Sequence, residues 1–229
     1  MIVSVHQPQY IPWLGFFDKI KRSDCFVFLD LVQYKPREFQ NRNKICTKDG
    51  WLWLTVPVIS KGQGRQKIAD VLIDNESNWQ NKHWGGIRSG YARAPFFKQH
   101  SSFFEEVYSV KWGKLTDLNV HIIKYILQQL HIDTPLRFES EIGTTCESTE
   151  RIIEICRKLN ADTYLSGMGG KDYLNEERFK EENIKLEYQH YHHPVYRQVF
   201  DAPFISHLSV IDLLFNEGEK SARVISADD

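Results

Sequence analysis

The sequence predicts an α/β fold built around a parallel sheet. Short apolar runs rich in β-branched and aromatic residues alternate with longer segments whose apolar residues recur at helical spacing. Polar or glycine-rich turns follow directly after several of these runs, which is how open α/β sheets place a binding site at the carboxyl ends of their strands. The predicted strands are residues 2–5, 25–30, 51–58, 67–73 and 162–165, and the predicted helices are 13–20, 78–93, 96–110, 115–130, 147–159 and 208–218.

The composition is that of a globular protein, and we expect a single domain over residues 1–229 with a helical subregion at about 76–132. Of the 229 residues, 41% are hydrophobic and 13% aromatic, which is enough for a sizeable core and excludes a disordered chain. The formal net charge of −1 gives no general attraction to nucleic acid or membranes, so any anion binding must be local. No apolar run approaches the length of a membrane span.

The cysteines and the N-terminus predict the compartment. Cys25, Cys46, Cys146 and Cys156 form no Cys-x-x-Cys pair, which favours free thiols in a reducing environment. The chain opens directly on a predicted strand, without a charged and then apolar leader. We therefore expect a cytoplasmic protein.

The turn after the first strand is the first candidate site. His6, Gln7 and Tyr10 follow the apolar run 2–5, in a segment made rigid by two prolines. One interpretation is a well-packed connection between strand and helix. The other, which we favour, is a functional turn, because these side chains can donate and accept hydrogen bonds at the carboxyl end of a buried strand.

Two basic segments in the first half are candidate anion-binding loops. Residues 32–45 are dense in amide and cationic side chains, of which we expect binding by Gln33, Tyr34, Arg37, Asn41, Arg42 and Asn43. Residues 60–67 form a glycine-containing loop in which Lys61 and Arg65 are placed to close over a polyphosphate as a flap. A solvated loop and a long hairpin turn are the alternatives for these two segments.

A second strand-to-helix turn lies at residues 166–172. Gly167, Gly169 and Gly170 follow the predicted strand 162–165, with Ser166 and Lys171 beside them. Glycines allow the backbone N–H groups to approach an anion closely, so we expect this turn to bind phosphate, with Lys171 in a catalytic role.

Three histidines, His190, His192 and His193, lie close together near the C-terminus. A zinc site requires a closed set of ligands at fixed spacing, and no cysteine or carboxylate pairs with these histidines in such a motif. We therefore predict no metal site.

Seven short strings distributed over nearly the whole chain carry a family resemblance. They are residues 6–17 (HQPxYxPWxGFF), 32–34 (VQY), 41–43 (NRN), 53–57 (WLTVP), 164–167 (YLSG), 193–198 (HPxYxQ) and 208–214 (LSxIDLL). Together they resemble the WbqC-like family, which is associated with bacterial O-antigen and surface-polysaccharide gene clusters. With this resemblance, His190, Tyr196 and Gln198 join the expected substrate-binding residues.

A more distant similarity implies a mechanism. Residues 8–13 stand where the nucleotidylyltransferase-like α/β fold, which includes pantothenate synthetase, carries its HxGH signature, and residues 28–34 resemble the second-strand stretch of pantothenate synthetases. The similarity implies a Rossmann-like parallel core with a helical insertion in the middle of the chain. His6 or Tyr10 would then donate to phosphates, and Lys61, Arg65 or Lys171 would supply the mobile cation.

Two functions follow as hypotheses. The first is an enzyme that uses ATP with Mg²⁺, or a nucleotide-linked sugar, to activate a carboxylate by adenylation and join it to the amino group of a sugar, or that transfers a nucleotidyl group; His6 would accept a proton. The second is a non-catalytic module that binds a nucleotide-sugar or glycan and assists a partner enzyme. Both imply small-molecule partners rather than nucleic acid, and exposed aromatic residues in 79–112 could form a homodimer face.

Overall fold

A five-stranded parallel sheet forms the centre of the protein, which we describe from a computed structural model for residues 1–60 and 62–225. In chain order its strands are β1 (Ile2–His6), β2 (Cys25–Phe28), β5 (Leu136–Phe138), β6 (Thr163–Ser166) and β7 (Lys185–Tyr188). Their spatial order is β5-β2-β1-β6-β7, and every neighbouring pair is parallel. The predicted α/β fold with a parallel, Rossmann-like core is confirmed.

The strand order places a topological switch point between β1 and β6. From β1 the chain adds β2 and β5 on one side, and then returns to add β6 and β7 on the other side. At such a point the connections leave the carboxyl ends of two adjacent strands in opposite directions, which opens a crevice between them. The turns after His6 and after Ser166 therefore border the same crevice.

Each face of the sheet buries its own layer of helices, because side chains alternate along a strand. Phe26 and Phe28 pack into the larger core, whereas Val3, Val5 and Val27 pack into the smaller core on the other face. The helices are α1 (Leu14–Lys21), α2 (Trp79–Tyr91), α3 (Phe97–Ser109), α4 (Leu115–Gln129), α5 (Glu139–Ile142), α6 (Ser148–Lys158), α7 (Glu176–Glu181), α8 (Val210–Glu217) and α9 (Ser221–Val224). Helices α2 to α4 are the predicted helical insertion between β2 and β5.

The antiparallel hairpin differs from the prediction. Strand β4 (Gly50–Thr55) pairs with β3 (Arg42–Thr47), a segment we predicted as a loop. The predicted strand 67–73 is instead a 3₁₀ turn, Ile68–Asp70, with isolated β-bridges on either side. The physical reason is that the tight turn at 48–49 brings β3 against β4 locally, whereas residues 67–73 are anchored by hydrogen bonds to residues 30–34 and to the start of α4.

Among the described residues, no helix combines the length and apolar character that a membrane crossing requires.

Candidate functional site

A cleft with two chambers lies at the switch point, at the carboxyl ends of β1 and β6. The α1 chamber, about 280 Å³, is bordered by Trp13, Met168 and Gln189. The turn chamber, about 270 Å³, is bordered by Gln7, Tyr173 and other residues. The two chambers share four residues: His6, Lys19, Gly167 and Gly169.

Lys19 is the cation of this cleft. It extends from the last turn of α1, is 4% exposed, and donates from Nζ to the carbonyl oxygen of Val5 at 3.0 Å. A Cβ atom placed on Gly167 would lie 4.0 Å from Nζ, so the ammonium group faces the glycine turn. Burial lowers the pKa of Lys19 to about 7, because the charged form is desolvated.

The neighbouring carboxylate does not neutralise Lys19. Asp18 accepts instead from Arg22 Nε at 2.9 Å and from Gln189 Nε2 at 2.6 Å. Gln189 also donates to the carbonyl oxygen of Gly15 at 2.8 Å, which ties the end of β7 to α1. Lys19 is thereby left without a carboxylate partner among the described residues, and with a pKa of about 7 its amino group is partly protonated at neutral pH.

His6 is a neutral imidazole at neutral pH. Burial and the nearby charge of Lys19 lower its pKa to about 3, against a small opposing effect of the hydrogen bond to Gln7. Its Nδ1 donates to the carbonyl oxygen of Gln7 at 3.0 Å, so in the neutral ring Nε2 carries the lone pair. The edge-to-face contact with Phe16, at 5.3 Å between ring centroids, fixes the ring plane.

The glycine turn is shaped by close packing against Ser166. The Ser166 hydroxyl donates to the carbonyl oxygen of Gly167 at 3.0 Å, and a Cβ atom on Gly170 would lie only 2.0 Å from the Ser166 Oγ. Only glycine fits at position 170 without displacing that serine. The turn then continues as a 3₁₀ helix, Met168–Asp172, whose first backbone N–H groups lie beside the cleft.

An aromatic cluster borders the α1 chamber. The Trp13 indole covers Gly15, where a Cβ atom would meet the ring at 2.4 Å. Its other contacts are a stacked His207 and the edge of Tyr191, each at 5.5 Å between centroids. Trp13 therefore forms a rigid wall.

The structure brings most of the two predicted turns together. The predicted residues that border the cleft are His6, Gln7, Ser166, Gly167, Gly169 and Gly170. They come from turns separated by about 160 residues in the chain, and the parallel pairing of β1 with β6 joins them.

Tyr10, in contrast, does not reach the cleft. It is fully buried, and its hydroxyl contacts His83 Nδ1 at 2.8 Å and the hydroxyl of Tyr108. The expectation that Tyr10 donates to a phosphate is corrected, because its side chain is packed in the core against His83 of α2 and Tyr108 of α3.

The predicted flexible cations also lie elsewhere. Lys171 is exposed, with its Nζ above the Tyr188 ring at 5.1 Å, and it borders neither chamber. Arg65 and His190 are exposed and likewise border neither chamber. Lys61 lies outside the described residues.

The amide-rich segment 33–43 packs behind the cleft rather than around it. Asn43 is fully buried and donates to the carbonyl oxygen of Ile11 at 2.8 Å, and Asn41 donates to that of Val56. The Arg42 guanidinium lies over Trp53 at 4.2 Å. The remaining predicted residues of this segment border neither chamber; they are Gln33, Tyr34 and Arg37.

Tyr196 and Gln198 have an internal role. Tyr196 Oη and Gln198 Nε2 both donate to Oδ2 of Asp212, at 2.8 and 2.9 Å. Asp212 is fully buried on α8, and burial raises its pKa despite these hydrogen bonds. Two of the seven strings thus meet in one polar cluster in the protein interior.

Sequence reasoning missed Lys19, Gln189 and the wall formed by Trp13. A signal for Lys19 was present: it follows Phe16 by three residues, so it lies on the buried side of α1, where an unpaired lysine is unusual. Gln189 carried no such signal, because its partners are more than 170 positions away in the chain.

A model of the WbqC-like protein family matches residues 7–224, which is nearly the whole chain. The chain belongs to the WbqC-like protein family. An uncharacterized protein of Mycobacterium tuberculosis, Rv1507c, is 34% identical over 221 residues, which cover 96% of this chain and 95% of that protein. No solved structure gave a significant match.

Acidic residues are absent from the borders of both chambers of this WbqC-like protein, as far as the chain is described. Within the same residues, no group of three or more His, Cys, Asp or Glu side chains is arranged to hold a metal ion. The described borders of the cleft therefore offer Mg²⁺ no protein carboxylate, and the polar side chains there are those of Lys19, His6, Gln7, Gln189, Ser166 and three tyrosines.

Proposed function

We propose that the cleft binds the phosphates of a nucleotide or nucleotide-linked sugar, and that the protein is a nucleotide-dependent enzyme of surface-polysaccharide sugar modification. The observation that supports this proposal most is Lys19, a buried cation without a neutralising carboxylate, at the topological switch point of a Rossmann-like sheet. Burial disfavours the charged form of this lysine and lowers its pKa to about 7, and an anion bound in the cleft would stabilise the protonated form.

The reaction we favour is ligation through an acyl adenylate. A carboxylate oxygen attacks the α-phosphorus of ATP and pyrophosphate leaves; the amino group of the sugar then attacks the acyl carbon and AMP leaves. Such chemistry depends on positioning and charge neutralisation more than on covalent help from the protein. Lys19 would stabilise phosphate charge, and His6 Nε2 would accept a hydrogen bond from the reacting amine. The residues present supply no ligand for Mg²⁺, and we assign no step to it.

The decisive experiment compares wild type with Lys19→Met for binding of ATP, CTP and UDP- or dTDP-linked amino sugars. A charge-assisted hydrogen bond contributes about 1.5–3 kcal/mol, so loss of Lys19 should lower the affinity for the nucleotide at least about tenfold. Without ligand, the variant should be as stable as wild type or more stable, because methionine removes a buried charge. Thermal shift and titration calorimetry measure both effects.

Lys124→Met provides the control, since Lys124 is exposed on α4 and borders neither chamber. Equal affinity of wild type and Lys19→Met for every nucleotide would remove the basis of the proposal. A Lys19→Met variant that loses binding because it unfolds would show a lowered melting temperature, which separates that result from a true loss of the ligand contact.

A non-catalytic nucleotide-sugar binding module is the second candidate. The observation that favours it is the pKa of His6 at about 3, which makes this imidazole a weak proton acceptor at neutral pH. Release of pyrophosphate or AMP in the presence of ATP, a carboxylic acid and an amino sugar distinguishes the two functions. If wild type turns over and His6→Gln loses turnover while it still binds the ligand, the enzyme is supported. If wild type binds nucleotides or nucleotide-linked sugars but turns over none of them, the binding module is supported.

A further inference from the structure

The sizes of the two chambers restrict the ligand. Each chamber, at about 280 and 270 Å³, lies just below the roughly 300 Å³ at which small-molecule pockets begin. A nucleotide joined to a sugar is too large for either chamber alone. Because the chambers share His6, Lys19, Gly167 and Gly169, such a ligand can extend from one into the other.

The distribution of charge restricts the ligand further. Lys19 is the one charged side chain, apart from histidine, at the described borders of either chamber, and it stands at their shared wall. The ends of the cleft are bordered by aromatic, amide, hydroxyl and aliphatic groups. This arrangement is complementary to a molecule with an anionic centre and two uncharged ends.

The chemistry of the two ends differs. The α1 chamber is bordered by Trp13, Phe16 and Met168, which suit the flat apolar surface of a base. The turn chamber is bordered by Gln7, Ser166 and the ring of Tyr173, which suit a hydroxylated sugar.

We propose that a single nucleoside diphosphate sugar spans both chambers, with its base in the α1 chamber, its diphosphate beside Lys19 and the glycine turn, and its sugar in the turn chamber. This inference rests on the proposed function, in the form in which the cleft binds a nucleotide-linked sugar, and it specifies how that ligand lies; ATP and this ligand would compete for the place beside Lys19. It requires that a substitution in the α1 chamber weakens binding of the nucleoside half of the ligand, and that a substitution in the turn chamber weakens binding of the sugar half.

The test is calorimetric titration of four pairs: ADP with ADP-glucose, UDP with UDP-N-acetylglucosamine, GDP with GDP-mannose, and dTDP with dTDP-glucose. Met168→Trp fills the α1 chamber, Gln7→Trp fills the turn chamber, and Leu72→Trp is the control. Met168 and Leu72 are matched, since both are 45% exposed and Leu72 borders neither chamber.

In at least one pair, wild type should bind the sugar-linked compound about tenfold more tightly than the corresponding nucleoside diphosphate. The reason is that the sugar is covalently attached to the bound nucleotide, so its contacts in the turn chamber form without a second association step. Met168→Trp should weaken both members about tenfold. Gln7→Trp should bind the nucleotide sugar no more tightly than it binds the nucleoside diphosphate. Its affinity for the nucleoside diphosphate should stay within about twofold of the wild-type value. Leu72→Trp should change neither, and melting temperatures check that each variant folds.

Equal binding of both members in every pair, or a nucleotide sugar insensitive to Gln7→Trp, would overturn the spanning arrangement and leave nucleotide binding in the cleft standing. If all eight compounds fail to bind while ATP binds through Lys19, the inference is wrong and the proposed function survives. Failure of ATP and CTP as well would defeat both.

Discussion

The cleft at the ends of β1 and β6 and the cluster around Asp212 are both built from polar residues in strings that resemble the family, yet they use those residues in opposite ways. In the Asp212 cluster, Tyr196 and Gln198 both donate to Oδ2 of a fully buried carboxylate, whose Oδ1 accepts no hydrogen bond from the described residues. In the cleft, Lys19 makes a hydrogen bond to one carbonyl oxygen and faces a cavity, while the nearest carboxylate in the chain, Asp18, is bound elsewhere. The Asp212 side chain is thus enclosed within the protein, whereas the Lys19 side chain borders a cavity.

The difference shows that an unusual polar string does not by itself mark a binding site. What separates the two regions is whether the ionisable side chain is enclosed in the core, as Asp212 is, or borders a cavity, as Lys19 does. The following variants test that distinction, from the largest expected effect to the smallest.

Asp212→Ala should lower the free energy of unfolding by about 3 kcal/mol, because it leaves the Tyr196 hydroxyl buried without its acceptor, removes one of the two acceptors of Gln198 Nε2 and opens space in the core. Denaturant unfolding measures the loss. Asp212→Asn keeps an acceptor oxygen at the same position and should lose less. If Asp212→Ala were as stable as wild type but failed to bind nucleotide, the cluster would belong with the functional residues and the comparison would fail.

Gly170→Ala should lower the free energy of unfolding by about 2 kcal/mol, since its Cβ would meet the Ser166 Oγ at 2.0 Å and must displace the turn. The matched variant is Gly169→Ala, where a Cβ would meet nothing within 4 Å. Urea unfolding of the two variants side by side checks the difference. Equal stability of the pair would show that the turn adapts and does not hold a fixed cleft wall.

His83 should make the protein less stable in mild acid. Burial lowers its folded-state pKa from 6.5 to about 4, so below pH 6.5 the unfolded chain binds the proton more readily. The His83 contribution is therefore complete above pH 6.5 and is lost as the pH falls toward 4, by about 3 kcal/mol. In His83→Gln the decline in unfolding free energy over this range should be smaller; an identical decline would mean that other groups cause it.

Lys171→Ala should have the smallest effect. Its side chain is exposed and contributes a cation–π contact with Tyr188, for which about 0.5 kcal/mol is typical at a surface. Nucleotide affinity should stay within about twofold of wild type, because Lys171 borders neither chamber. A tenfold loss in the titration would instead restore the mobile catalytic role that the sequence suggested for it.

The sequence alone determined the α/β class, the positions of the main helices and the two turns that border the cleft. These follow from local rules: the spacing of apolar residues distinguishes strand from helix, and a polar turn after a buried strand in a parallel sheet lies at its carboxyl edge. His6 and the glycines at 167, 169 and 170 were found in this way.

Only the tertiary structure decided which polar side chains face the cleft. Lys19 and Tyr10 each lie within a few residues of the first turn, yet Lys19 points into the cleft and Tyr10 into the core. The direction of each side chain depends on what packs against α1 and the turn. His83 and Tyr108 contact Tyr10, Gln189 contacts Asp18 on α1, and all three partners come from distant parts of the chain. Spacing rules describe one element at a time, whereas burial and charge pairing are properties of the packed whole.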